Sequence, residues 1–211
     1  MAFALRTLMT LLLLPAALLV APVAKAQTVA EELIREARVH ETAGEEQTAL
    51  RLYTEALSLD PTSGEGYLGL ASLRLRLGDL REAERVYSVS LERVPALYAA
   101  LLGRARTRRA IGKGLEAAQD LETYAVKEND PRALRELARW YGEDGHPLAQ
   151  LGVWRRLLTL AAARSDPDLA AEARTMIRAL QIVVHPIDPV SAPSGRERMR
   201  TTIARIAQRG G

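Results

Sequence analysis

Between positions 104 and 113 the chain places Arg104, Arg106, Arg108, Arg109 and Lys113. A guanidinium presents a planar fork that pairs a carboxylate through two parallel hydrogen bonds, so the chemistry on offer is recognition of an acidic group. Residues for covalent or metal chemistry are not assembled in the same way. The histidines are His40, His146 and His185, there is no cysteine, and no close pattern of carboxylates accompanies them. A metal site needs ligands at defined spacing, and this sequence does not supply it. "IGKGLEA" at 111–117 has the Gly-Lys pair of a phosphate loop, but Thr107 stands where the earlier glycine is required. Gly114 stands where Ser or Thr must follow the lysine. Neither a G-x-S-x-G elbow nor a Ser-x-x-Lys set occurs. The expectation is a protein without catalytic residues, cofactor or metal.

Five cations so close together need a scaffold that sorts them, and the sequence supplies one by repetition. Ala37, Ala71 and Ala105 are 34 residues apart, as are Gly44, Gly78 and Gly112, and Ala49, Ala83 and Ala117. Tyr53, Tyr87 and Leu121 keep the same offset, and Pro61 and Pro95 close the first two units. Ala138, Gly145 and Trp154 continue the series one residue short of it. An Ala in mid-helix lets two helices approach closely. A Gly where a helix stops supplies the left-handed residue that the turn needs. The second Ala, the aromatic four residues on and the Leu beyond share one face of a second helix. Pro then ends that helix or begins the next.

Composition agrees, with Ala, Leu and Arg abundant, 48% hydrophobic residues and only 4% aromatic ones. These are helix formers, and the β-branched runs of strands are missing, so the fold class is all-α. Thr28-x-x-Glu31 reads as a capping box, and Asp130-Pro131 and Asp166-Pro167 each set a capping Asp before a first-turn Pro. The last of these opens a helix over 167–183, with Leu169, Ala173, Met176, Ile177 and Leu180 on one side. Residues 165–184 are accordingly expected to cap the array by covering its last open face.

The units resemble tetratricopeptide repeats. The family's pattern is carried by Tyr67-x-x-Leu70-Ala71, Gly78, Ala83-x-x-x-Tyr87 and Pro95, with Arg74 and Ser90 in place of its usual Tyr and Ala. In the flanking units His40 and Arg108 occupy the Tyr place and Gln150 replaces the second-helix Ala. The resemblance covers residues 28–164 as about four repeats. It implies a right-handed α-solenoid of stacked helix-turn-helix repeats that binds a protein or peptide segment on the concave face of its first helices. By analogy Arg38, Ser72, Arg106 and Arg139 occupy equivalent inward places, with Arg76, Arg109 and Arg135 near them. Leu68 and Leu102 would lie between, and Gly69 and Gly103 would leave room for a ligand backbone. The candidate peptide-binding set is therefore Arg38, Leu68, Arg76, Leu102, Arg106, Arg109, Arg135 and Arg139. The other reading of these arginines, a solvated surface in an Arg-rich chain, stays open. Where some members clamp a terminal carboxylate, this chain holds Ile34, Arg38, Gly69, Ala99 and Gly103, and only Arg38 could serve.

The two ends differ from the repeats. Residues 1–26 carry one early Arg, an apolar run and Ala24-Lys25-Ala26 before Gln27, the layout of a cleaved secretory signal. No cysteine follows to take a lipid. Removing Arg6 and Lys25 with the leader leaves 27 of the 29 basic residues against 26 acidic ones, a net charge of about +1. That balance argues against a nucleic-acid partner, which needs a strongly basic surface. Residues 185–194, "HPIDPVSAPS", form a Pro-rich linker. Residues 195–211 then read as a basic amphipathic helix with Met199, Ile203 and Ile206 on its apolar side. The expected protein is an exported periplasmic adaptor of a bacterial envelope, binding an acidic segment and having no membrane span once the signal is cleaved. The alternative is an obligate structural subunit of an envelope assembly, held through its repeat faces and its C-terminal helix.

Overall fold

In a computed structural model the described residues are 14–184, with side chains from Lys25 onward. The readings for residues 1–13 and for the linker and basic helix at 185–211 lie outside them. Among the described residues there are helices and turns and no strand. The helices are α1 (Leu14–Thr42), α2 (Glu46–Leu59), α3 (Gly64–Arg76), α4 (Leu80–Arg93), α5 (Tyr98–Ala110), α6 (Gly114–Glu128), α7 (Pro131–Glu143), α8 (Pro147–Arg164) and α9 (Pro167–Val184). This is the all-α helical-repeat fold.

The glycines close each first helix in the same way. Gly44, Gly78, Gly112 and Gly145 all have φ between 71° and 83°. In each case the glycine N–H donates three residues back and the next N–H five residues back, as in Gly78 to Leu75 (3.1 Å) and Asp79 to Arg74 (2.9 Å). This is the Schellman closure, which satisfies carbonyls that a helix end leaves open. A Cβ at these four glycines would meet nothing within 4 Å, so the demand for glycine is conformational and not steric.

Helix starts follow the capping residues in part. Asp130 accepts from the Arg132 N–H at 2.8 Å and Asp166 from the Leu169 N–H at 2.9 Å. Ser63 caps α3 by accepting from Gly66 at 3.2 Å. The expected start at Thr28 is corrected: α1 already runs from Leu14 and passes through the Ala26–Gln27 bond, so Thr28 lies mid-helix. The Ala- and Leu-rich residues before it are good helix formers and carry α1 up to and past Thr28 despite Pro22.

The chain divides within α7 into two compact units, Met1–Ala133 and Leu134–Gly211. In the first, α1 packs on α2, α3 on α4 and α5 on α6 as hairpins. Successive hairpins join through α2 with α3 and α4 with α5, and the first helices also touch, α1 with α3 and α3 with α5. Ala37, Ala71, Ala105, Ala49, Ala83 and Ala117 are all fully buried, as the close approach of paired helices requires. In the second unit α9 packs on α8, burying Leu169, Ala170, Ala173 and Leu180. No described helix is long and apolar enough to cross a membrane.

Candidate functional site

In the first unit α1 and α3 stand side by side and present polar residues at helical spacing. Arg38 and Glu41 are three apart on α1, while Glu65, Leu68, Ser72 and Arg76 recur every three or four residues on α3, with Gly69 next to Leu68. Arg38, Glu41, Glu65, Leu68, Gly69 and Ser72, with Tyr53 from α2 and Tyr87 from α4, line an open groove of about 440 Å³. The sequence expectation thus placed Arg38, Leu68, Gly69 and Ser72 on one lining.

The electrostatics differ from a plain basic groove. Arg38 pairs with Glu65, and Arg76 donates from Nη2 to Glu41 Oε1 at 2.8 Å. The pairs run in opposite senses, cation on α1 to anion on α3 and the reverse. Glu41 accepts a second bond at Oε2 from the Tyr53 hydroxyl, also 2.8 Å. Tyr53 is only 1% exposed, so a rigid phenol fixes the direction of that carboxylate. Burial pushes the Tyr53 phenol up to about 12, the Glu41 bond and charge adding to it and Arg38 opposing. Burial also raises Tyr87, against the nearby Arg106 charge. Burial, Asp130 and Glu128 raise Tyr124, where Arg106 again opposes. The exposed Arg106 therefore lies within electrostatic reach of two tyrosines.

The tyrosines also overturn one expectation. Gly69 and Gly103 do not leave room for a ligand backbone. A Cβ on Gly69 would lie 2.4 Å from Tyr53 Cε1, and one on Gly103 would lie 2.3 Å from Tyr87 Cζ. Each glycine is small because the ring from the preceding second helix already fills the space.

Residues 42–105 match the tetratricopeptide-repeat family model. Solved structures similar to the chain carry the same fold at low identity. YrrB, described as a tetratricopeptide-repeat protein with an unusual peptide-binding site, is 16% identical with a TM-score of 0.51, over 71% of this chain and 84% of that one. The first repeat domain of Spaghetti, bound to an HSP90 peptide, is 22% identical with a TM-score of 0.53, over 56% and 95%. MamA from Desulfovibrio magneticus is 19% identical with a TM-score of 0.54, over 72% and 94%. No curated protein matches the chain by sequence.

Within and beyond the tetratricopeptide stretch the remaining candidates separate. Arg104 and Arg108 are turned toward the second helices. Arg104 grips Asp120 through Nε and Nη2, both at 2.8 Å, and donates to Ser88 at 3.2 Å. Arg108 donates to Asp120 at 2.7 Å and to Glu84 at 2.9 Å, and Lys113 reaches Glu84 at 2.7 Å. Three of the five cations that drew attention in the sequence thus hold α4, α5 and α6 together. Leu102 and Arg109 are half-buried on α5. In the second unit Arg135 forms a bidentate pair with Glu172, at 2.6 and 3.0 Å. Arg139 is exposed, with Glu143 3.8 Å away on the same helix.

Sequence reasoning missed Glu41, Glu65 and the polar role of Tyr53. Glu41 could have been found from its three-residue spacing to Arg38, and Glu65 from lying two turns before Ser72 on one face. Nothing in the sequence marks the pairing between repeats.

Proposed function

We propose that the protein is a non-enzymatic adaptor, exported to the periplasm of a bacterial envelope, that holds a segment of another protein in the groove of its first unit. The observation that carries this reading is the groove itself. Charged side chains of α1 and α3 stand over a floor of Leu68, Tyr53 and Tyr87, a mixture suited to an extended chain with both polar and apolar groups. The tetratricopeptide match and the peptide-bound Spaghetti domain support it. Arg38 and Leu68 form the contact surface in the groove with Arg76 beside them on Glu41, and Leu102, Arg106 and Arg109 extend it along α5. Arg135 and Arg139 are the proposed contact residues within the second unit. The leader at 1–26 supports export, with Gln27 as the first mature residue.

The test is a partner captured by crosslinking in the native envelope and titrated against the Arg106→Ala/Arg139→Ala variant and a 1–190 truncation. Loss of a charge-assisted hydrogen bond costs about 1.5–3 kcal/mol, so the Arg variant should bind at least tenfold more weakly while melting normally. Normal binding by the Arg variant with loss in the truncation would remove Arg106 and Arg139 from the contact surface and support the structural-subunit reading, held through Met199, Ile203 and Ile206. N-terminal sequencing of exported material tests the leader; a product that keeps residues 1–26 in the membrane would refute it.

A further inference from the structure

The lining of the first unit's groove holds one cation, Arg38, and two carboxylates, Glu41 and Glu65, and Arg76 reaches Glu41 from the turn of α3 after Ser72. Arg38 and Arg76 are matched by Glu65 and Glu41, and each arginine bonds a carboxylate on the opposite helix. The side chains of Arg38, Glu65 and Arg76 are each at least half exposed, and pairs of that exposure contribute little to stability, so a ligand can exchange with them. Glu41 is different. Its side chain is only 24% exposed, and the buried Tyr53 hydroxyl holds one of its oxygens. An entering acidic side chain can draw Arg76 away, but Glu41 then stays where it is, a fixed carboxylate facing the incoming anion. Like charges brought together at a binding surface are strongly disfavoured. A ligand that brings its own cation removes that conflict. Its ammonium or guanidinium takes the place of Arg76 on Glu41 Oε1, and Arg76 turns to the ligand's carboxylate. Charge is conserved in the exchange, and no groove carboxylate is left without a cation.

We propose that this groove selects a segment carrying a Lys or Arg side chain beside an acidic one, the cation seated on Glu41 and the anion on Arg76. This rests on the groove-binding reading above and adds the partner's charge pattern to it. Tyr53 acts as a positioning residue, because it directs the carboxylate without facing the ligand's charge.

The experiment is selection of a random ten-residue peptide library on the immobilised full chain, followed by affinity measurement for three probes of one length: a Lys-Glu peptide, an all-Glu peptide and an all-Lys peptide. The expected result is enrichment of neighbouring opposite charges, with the Lys-Glu peptide binding at least tenfold more tightly than either single-sign peptide. Glu41→Gln keeps an acceptor for Tyr53 and should erase the preference over the all-Glu peptide. Tyr53→Phe should reduce it, and thermal melts of both variants report that the fold is kept. If the all-Glu peptide binds best and Glu41→Gln changes nothing, the charge pattern is wrong while the groove reading stands. If no peptide class binds, or binding ignores Arg38, Glu41 and Arg76 alike, both are overturned.

Discussion

Replacing Asp120 with Val removes the carboxylate that holds Arg104 through two bonds and Arg108 through a third. The repeat makes the consequence calculable. Arg104 stands 34 residues after Leu70 and Asp120 stands 34 after Val86, so an ion pair occupies the two places that a buried Leu and Val occupy in the preceding hairpin. One offset later, at 33 residues, the places are again apolar, Leu137 and Val153, both buried. Asp120 and Arg104 side chains are 8% and 17% exposed. Breaking such a pair on one side typically costs 3–5 kcal/mol, and the residual exposure of Arg104 with the retained Glu84 partner of Arg108 puts the expected loss at about 3 kcal/mol. For a chain of this size that lowers the melting temperature by roughly 6–12 °C. The double change Arg104→Leu/Asp120→Val restores the preceding hairpin's apolar pair and should melt within about 3 °C of the native chain or above it, since apolar replacement of a buried pair is commonly neutral or stabilising. Thermal melts followed by circular dichroism at 222 nm measure the global effect. Hydrogen exchange in α5 and α6 reports whether the loss is local, as a nearest-neighbour array predicts. A double variant as unstable as Asp120→Val alone would refute the claim that the two hairpins are packed in the same register.

Four further outcomes are expected. Ala71→Leu overpacks a fully buried position and should cost about 1–3 kcal/mol, whereas Arg81→Leu on the exposed surface should leave the melt unchanged. Gly69→Ala drives a methyl to 2.4 Å from the Tyr53 ring and should destabilise by a similar 1–3 kcal/mol, partly recovered in a Gly69→Ala/Tyr53→Leu chain; equal melts would remove the ring from beneath Gly69. Alkaline titration at 295 nm should show one phenol ionising near 12. Because the folded value lies above the ordinary 10, this phenol's contribution to stability is complete below 10 and lost as pH rises through 12, and Glu41→Gln should bring the late transition earlier. At the acid end, burial works to raise the Glu84 carboxyl, but Lys113 and Arg108 outweigh it and hold it below the usual 4.5. Its stabilisation is present above that value and disappears as pH falls through the folded value, so Glu84→Gln should flatten the acid limb of the melting curve.

The sequence by itself determined the helices and the rules by which they pair. Ala71 and Ala83 lie buried, Gly78 adopts its left-handed turn and Asp166 caps its helix because each follows from local backbone geometry or from one face of one helix. Those constraints act within a few residues and leave a periodic trace. The charge of the groove left no such trace. Arg38, Arg76 and Arg106 are equally basic in the sequence, and only packing decided that Glu65 and Glu41 would meet the first two across neighbouring repeats. The same holds for Arg104 and Arg108, which joined Asp120 within their own hairpin and, for Arg108, Glu84 of the preceding one instead of facing a ligand. It holds too for Gly69, where the empty place read from a missing side chain is taken by the Tyr53 ring. Repetition encodes which faces pack. The partner of a long charged side chain depends on which carboxylate the fold brings within about 3 Å, and that distance is set by tertiary structure alone.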